Sequence, residues 1–381
     1  MTRKVLWFVL VAAFGITVHL WASRAAGPRP SVRLRGGDAI AEFASRLVVS
    51  APHRCNDLSL FVISAPGAEA PDVDMTLDQA VKRNLVEVTE LSDSEVNRLS
   101  VRNRGKEPVF IMGGEMLRGG KQDRIIADDL VLPARAEVTV AVYCVEHGRW
   151  ELGASGGGGG RAGRGGFTTG HSLAPSEVRQ AGAGGGRGGG QPAVWDRVAH
   201  QQRSLKAESA TGALRAVHDS QEVKDQIDPY LRAFSDLAED NPRACGVVAM
   251  VGDEVLAADL FSSSTIFRKM WPDLLESYAI DAVERTGSYH PERYLPKQAH
   301  RPDAGFVSRW LAGMRTASRT PRDTPGVGTL HDLKAREFAG SVLVWDGGVV
   351  HAGLLPAVMQ LHKERDRRII TPEQRRQRLG R

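Results

Sequence analysis

The sequence predicts an α+β fold: a mainly antiparallel sheet with helices packed on one side, interrupted by a glycine-rich insertion. Three observations carry this prediction. Short apolar runs recur between glycine, asparagine and aspartate turns, as around Gly252-Asp253 and Asp346-Gly347-Gly348, which is hairpin punctuation. Elsewhere apolar residues recur at helical spacing, most clearly Trp271, Leu274, Leu275, Tyr278, Ala279 and Ala282, which fall on one face of a helix. Alternating β-α units and a Walker loop are missing, and the glycines of residues 156–166 match G-x-G-x-x-G by composition only, with no strand before or helix after.

In chain order, residues 1–25 read as an export signal. Arg3 and Lys4 precede an apolar run of about 17 residues, and Ser23-Arg24-Ala25 suits cleavage. That run is close to the shortest membrane span, so an uncleaved anchor is the alternative, and a membrane contact is expected only through this segment. Residues 26–57 read as a linker with a weak amphipathic segment. A strand follows at 58–63, then a short helix at 76–83 that Thr76 can cap. Val86 and Val88 alternate with Glu87 and Thr89, as in a half-buried strand, and 96–101 is another.

Residues 103–150 are dense in chemistry. Asn103-Arg104-Gly105 is turn chemistry, and Pro108 opens an apolar strand through Met112. Two glycine pairs follow, Gly113-Gly114 and Gly119-Gly120, where a Cβ-free backbone allows close approach. Strands at 130–132 and 138–143 come next. Reactive side chains crowd the turns and strand ends: Glu115, Lys121, Gln122, Asp123, Arg124, Cys144, Glu146, His147 and Arg149. Glu115, Lys121 and Arg124 are expected on loops at one end of the sheet, with Cys144, Glu146 and Arg149 pointing to the same end. Taken singly, each residue has an ordinary alternative: an exposed ion pair contributes about 0–1 kcal/mol, and Cys144 can be a small buried hydrophobe.

The run GGEMLRGGKQDRIIADDLVLPA followed by VYCVEHGRW resembles the ARPP-1 domain family. The matching positions are Gly114, Glu115, Gly119, Lys121, Gln122, Arg124, Cys144, Val145, Glu146, Gly148, Arg149 and Trp150, and the likeness continues to about residue 360. The resemblance implies a partner of ADP-ribose-handling enzymes and hence a small nucleotide-derived ligand. It does not imply a particular cofactor.

Residues 153–190 are dominated by glycine and read as a loosely ordered insertion, with 167–180 an island that can touch the body. A helix begins near Pro192, with Val194, Trp195 and Val198 on its apolar face. Asp228-Pro229 reads as the start of another helix and Trp271-Pro272 as the start of a third. Strands at 245–250 and 255–261 form one hairpin, 342–345 and 349–354 another, and a helix spans 306–314. His200 and His218 read as surface residues. Phe261 reads as core and Asp259 as able to face a cleft. His351 reads as a hydrogen-bonded structural histidine, with a site role as the alternative.

The formal net charge is +5. The export segment holds three basic residues and no acid, so the remaining chain is +2. Residues 363–381 hold eight basic and three acidic residues, so the body between is about −3. A basic surface for nucleic acid is therefore not expected. The tail, 361–381, reads as a solvated extension. Of three cysteines, Cys55, Cys144 and Cys245, one must stay unpaired, and no C-x-x-C suggests a structural metal. Cys55 and Cys245 can bridge, or all three can be reduced.

Three functional readings follow. In the first, Lys121, Gln122, Arg124, Arg149 and Trp150 hold a nucleotide-derived or phosphorylated ligand. Glu115 or Glu146 is then the acid or base, and Cys144 a nucleophile if His147 or Lys121 lowers its pKa. In the second, the same residues bind without catalysis. In the third, the chain is an exported scaffold and the charged cluster is structural.

Overall fold

A computed structural model describes residues 38–68, 70–91, 95–147, 167–183, 189–288 and 302–357. Residues 1–25, expected from the sequence to be an export signal, lie outside them, as do Arg149, Trp150, much of the glycine-rich stretch and the basic tail. The described residues belong to one unit, Arg35–Arg381.

The largest sheet has eight antiparallel strands. It contains β1 (Val48–Cys55), β2 (Leu58–Ser64), β12 (Gly246–Val251), β13 (Glu254–Phe261), β14 (Ser318–Asp323), β15 (Thr329–Lys334), β16 (Phe338–Trp345) and β17 (Gly348–Pro356), in the order β1-β2-β12-β13-β17-β16-β15-β14. Both expected hairpins form. Asp346 and Gly347 both take positive φ, 48° and 79°, the backbone a tight hairpin turn needs.

A second sheet, also antiparallel, contains β4 (Val86–Glu90), β5 (Arg98–Asn103), β7 (Glu115–Arg118), β8 (Arg124–Ile126), β10 (Glu137–Cys144) and β11 (Thr168–Leu173), ordered β11-β7-β8-β10-β5-β4. A small third sheet joins β3 (Met75–Thr76), β6 (Val109–Ile111) and β9 (Leu130–Leu132). Among the described strands, only β3 and β6 pair in parallel.

The α+β prediction holds. α8 (Ser264–Ser288) is the longest helix and shares one core with α4 (Gln191–Ser204), α6 (Gln221–Phe234) and one face of the eight-stranded sheet, through Leu60, Val247, Ala249, Leu256 and Leu343. The same core takes in Met116 and Ile125 of the second sheet. Opposite strand residues, such as Phe61, Val248, Leu260 and Val342, form a second core with α1 (Ala39–Ser45) and α9 (Ala304–Ala312). The sheet is thus covered on both faces, with its longest helix on one and two short helices on the other. A third core joins the two smaller sheets with α2 (Leu77–Lys82), which Thr76 caps by accepting from the Gln79 N–H.

Several boundaries differ from the sequence reading. The expected linker 26–57 contains α1 and β1. The island in the insertion is β11 followed by α3 (Ser176–Ala183). Neither Asp228-Pro229 nor Trp271-Pro272 opens a helix: Ser220 caps α6, and Pro229 and Pro272 lie inside α6 and α8. An interior proline costs about 3 kcal/mol. A fully buried large apolar side chain returns about 1.5–3 kcal/mol. α6 buries Val223, Ile227, Tyr230 and Phe234, and α8 buries Trp271, Leu274, Leu275 and Tyr278, so burial wins. The remaining short helices are α5 (Arg215–Asp219) and α7 (Leu237–Asp240). No helix among the described residues is long and apolar enough to cross a membrane.

All three cysteines are free. Cys55 faces Leu58 at one end of β2, while the Cys245 N–H bonds to Ile63 O at the other. Five residues along a strand span roughly 17 Å, far beyond disulfide reach, so the Cys55–Cys245 bridge is excluded.

Candidate functional site

β7 and β8 form a hairpin in which Leu117 faces Arg124 and Met116 faces Ile125. Its turn carries Lys121, Gln122 and Asp123. Glu115 begins β7 at the far end, three strand steps or roughly 10 Å from Arg118. The hairpin therefore parts Glu115 from Lys121 and Arg124, which the sequence reading placed together.

The turn end is a polar knot. The Cys144 thiol lies 2.9 Å from Gln122 Oε1 and 3.3 Å from the Glu146 carbonyl, and donates to them. Gln122 Nε2 donates to the same carbonyl at 3.0 Å. Glu146 Oε2 accepts the Asp123 N–H at 3.2 Å, and Asp123 O accepts the Val145 N–H at 3.1 Å. Gln191, at the start of α4, clasps the Cys144 backbone from both sides, accepting from its N–H at 2.8 Å and donating to its carbonyl at 2.7 Å. Gln122, Asp123, Cys144 and Glu146 are all buried. Arg124 is fully buried too; its Nε donates to Val96 O at 2.9 Å, and its guanidinium lies 3.9 Å from Glu90. The Lys121 N–H donates to Glu90 at 3.2 Å.

Solvent reaches the knot at one side. A β-bridge pairs Glu146 with Ala213, and the Leu214 N–H bonds to Val145 O. This places Arg215, the first residue of α5, 3.5 Å from Asp123 and 3.9 Å from Glu146 with 41% of its side chain exposed. His147 is exposed and meets Trp195 edge to face at 4.4 Å. The sequence reading named Asp123 among the reactive side chains without giving it a role, read Trp195 only as part of an apolar helix face, and missed Arg215, which carried no local signal.

The glycines have packing explanations. Gly120 takes φ 57°, and a Cβ there would sit 2.5 Å from Phe167. Gly114 takes φ 96°, and its Cβ would sit 2.5 Å from Arg179.

That arginine belongs to a second buried cluster, near the Glu115 end of the hairpin. Arg179 of α3 makes a two-pronged contact with Asp259 of β13, at 2.9 and 3.1 Å. The Tyr278 hydroxyl on α8 donates to the same carboxylate. His351 of β17 lies between two aspartates: Nδ1 is 2.6 Å from Asp129 and Nε2 is 3.3 Å from Asp259, without hydrogen-bond alignment to the second. Asp129 also accepts the Gly113 N–H at 2.7 Å, and Glu115 accepts the Met112 N–H at 2.7 Å. The cluster ties the eight-stranded sheet, α3 and α8 to the loop between β8 and β9.

Charge states follow from these contacts. Burial alone would lower the His351 pKa, but Asp129 and Asp259 outweigh it and raise it to about 9. Burial pushes Asp259 up, and Arg179 and His351 overcome that and hold it well below the carboxylate range. Burial pushes Glu115 well above its ordinary value, the Met112 N–H opposes this, and Asp273, Asp78 and Asp129 reinforce it. Burial also raises the Cys144 thiol, against smaller lowering effects of the Glu146 backbone and Arg124.

The predicted residues thus divide. Gln122, Cys144 and Glu146 meet, with Lys121 and Arg124 alongside; Glu115 belongs to the other cluster; Arg149 and Trp150 lie outside the described residues. His351 is structural, as read, and Phe261 is core, stacked on it at 4.5 Å. Asp259 faces no cleft. His200 is exposed as expected, but His218 is buried, 3.0 Å from Glu276 of α8, a partner 58 residues away that the local sequence does not show.

Fold and site together define an α+β domain of layered antiparallel sheets, in which one β-hairpin carries a polar cluster at each end. The family model of ARPP-1, the ARG and Rhodanese-Phosphatase-superfamily-associated Protein domain, matches residues 46–355, and the chain belongs to that family. The match starts before the boundary at 58 read from the sequence and takes in β1. No curated protein and no solved structure matches the chain.

Proposed function

We propose that this ARPP-1 domain is a non-catalytic binding or scaffold domain, in which the hairpin cluster is a frame and its solvent-facing edge receives the ligand. The observation that carries this is the state of Cys144. A nucleophilic thiol needs access and a lowered pKa. Cys144 is 3% exposed, hydrogen-bonded to Gln122 and the Glu146 carbonyl, and raised in pKa by burial. Gln122 spends its side chain on the Cys144 thiol and the Glu146 carbonyl, and Glu146 Oε2 accepts the Asp123 N–H, which is how a frame is built.

The edge suits an anion. Arg215 is held by two buried carboxylates yet keeps 41% of its side chain in solvent, with His147 beside the same loop and Lys121 half-buried in the hairpin turn. Guanidinium and ammonium groups match phosphate, which supports reading this edge as the seat of the small nucleotide-derived ligand that the family likeness implies. Export through residues 1–25 is part of the same proposal and rests on Arg3 and Lys4 before an apolar run.

The test is calorimetric titration of the protein with ADP-ribose, NAD and simple nucleotides, using wild type, Cys144→Ser and Arg215→Ala. Binding that survives Cys144→Ser and weakens at least tenfold in Arg215→Ala supports the reading. Turnover that Cys144→Ser abolishes would sink it. Binding unaffected by Arg215→Ala would move the ligand elsewhere.

A further inference from the structure

A third buried polar cluster lies where α3, α4 and α8 meet, next to the cluster of Arg179 and Asp259. Its centre is Asp281 of α8, 1% exposed. Asp281 Oδ2 accepts the Ser176 N–H at 2.8 Å and the Ser176 hydroxyl, while Oδ1 is buried and accepts no hydrogen bond from a described residue. One carboxylate oxygen therefore holds the first residue of α3, and the other faces protein without a donor.

The charges around it do not neutralise it. From α3 come Glu177 and Arg179; from α4 come Arg197 and His200; from α8 itself come Glu284 and Arg285; from β13 come Glu254 and Asp259. Each cation is committed to another acid. Arg197 pairs with Glu284 and Glu177, Arg285 with Glu177 and Glu254, Arg179 with Asp259, and His200 with Glu284. Among the described residues, no ion pair reaches Asp281 within 4.0 Å. A buried carboxylate without a counter-charge takes up a proton rather than remain charged.

We propose that Asp281 is a proton-operated latch on α3: protonated, it closes on the helix's first residue without a buried charge; ionised, it accepts from Ser176 more strongly but lacks a counter-charge, and the helix opens to hydrate it. Burial, reinforced by Glu177, raises its pKa to about 7, against the smaller lowering effects of Ser176 and Arg197. A raised acid pKa means that its stabilising contribution is complete below the unfolded value near 3.8 and is lost as pH rises through about 7. The consequence reaches the rest of the fold, because α3 also carries Arg179, the clamp on Asp259.

Hydrogen exchange of the full chain, corrected for the intrinsic rate, tests this at pH 6 and pH 8. Protection of amides in 176–183 should fall about tenfold more than that of β12 and β13 between these values, the change expected for one group with this shift. Asp281→Asn, which keeps an acceptor for Ser176 and cannot ionise, should abolish the difference. Ser176→Ala, a milder second variant, should lower protection of α3 at pH 6 toward its pH 8 value. A wild type in which α3 and the strands respond equally to pH overturns the proposal without any variant. So does an Asp281→Asn protein with the wild-type pH response, which would assign the titration to another group.

Discussion

The two ends of the β7–β8 hairpin are built from similar side chains and are connected in opposite ways. At the turn end, the bonds within the hairpin and its neighbouring strand join residues close in sequence: Gln122 and Cys144 are 22 residues apart, Asp123 and Glu146 are 23 apart. At the Glu115 end the partners are distant: Asp129 and His351 are 222 apart, Arg179 and Asp259 are 80 apart. The first cluster shapes one hairpin and the strand beside it, and touches solvent at Arg215. The second joins separate layers and is sealed. Similar chemistry thus yields a local frame at one end and a bolt between layers at the other.

The largest effect should come from breaking the bolt. Asp259→Ala would leave Arg179 and His351 buried without their shared counter-charge, and removing one partner of a buried ion pair costs about 3–5 kcal/mol. Urea denaturation at pH 7 should show that loss; a change below about 1 kcal/mol would mean that Asp259 is not the centre of the cluster. The next effect is on pH. Because the folded-state pKa of His351 is raised to about 9, its charge stabilises the protein fully below about 6.5, and that stabilisation disappears as pH rises through 9. The upper bound is about 3 kcal/mol. Stability measured from pH 6 to pH 10 should fall accordingly, and His351→Gln should flatten the slope.

Smaller effects belong to the turn end. Cys144→Ser keeps a donor to Gln122 and should cost about 1 kcal/mol, the scale of one altered hydrogen bond. Arg215→Ala removes a partly exposed partner and should lower stability by about 1 kcal/mol or less while weakening ligand binding. If Arg215→Ala destabilised the protein as much as Asp259→Ala, the contrast between the two ends would fail, and the edge would be structural as well.

Much of this protein was determined by local sequence. Hairpin turns such as Asp346-Gly347, the Thr76 cap and the apolar spacing of α8 each rely on neighbours within a few residues, where backbone geometry and side-chain period act directly. The knot of Gln122, Cys144 and Glu146 was legible for the same reason, since two strands of one sheet bring it together. Tertiary structure alone decided that Glu115 leaves that group, that Arg215 enters it, and that Asp129, His351, Asp259, Arg179 and Tyr278 meet. It also decided that Pro229 and Pro272 stay inside helices, because the apolar burial that outweighs a lost backbone bond exists only when the layers are assembled. A charged residue carries no mark of its distant partner; its worth is set by burial and counter-charge, and both arise only when the sheets and helices close around it.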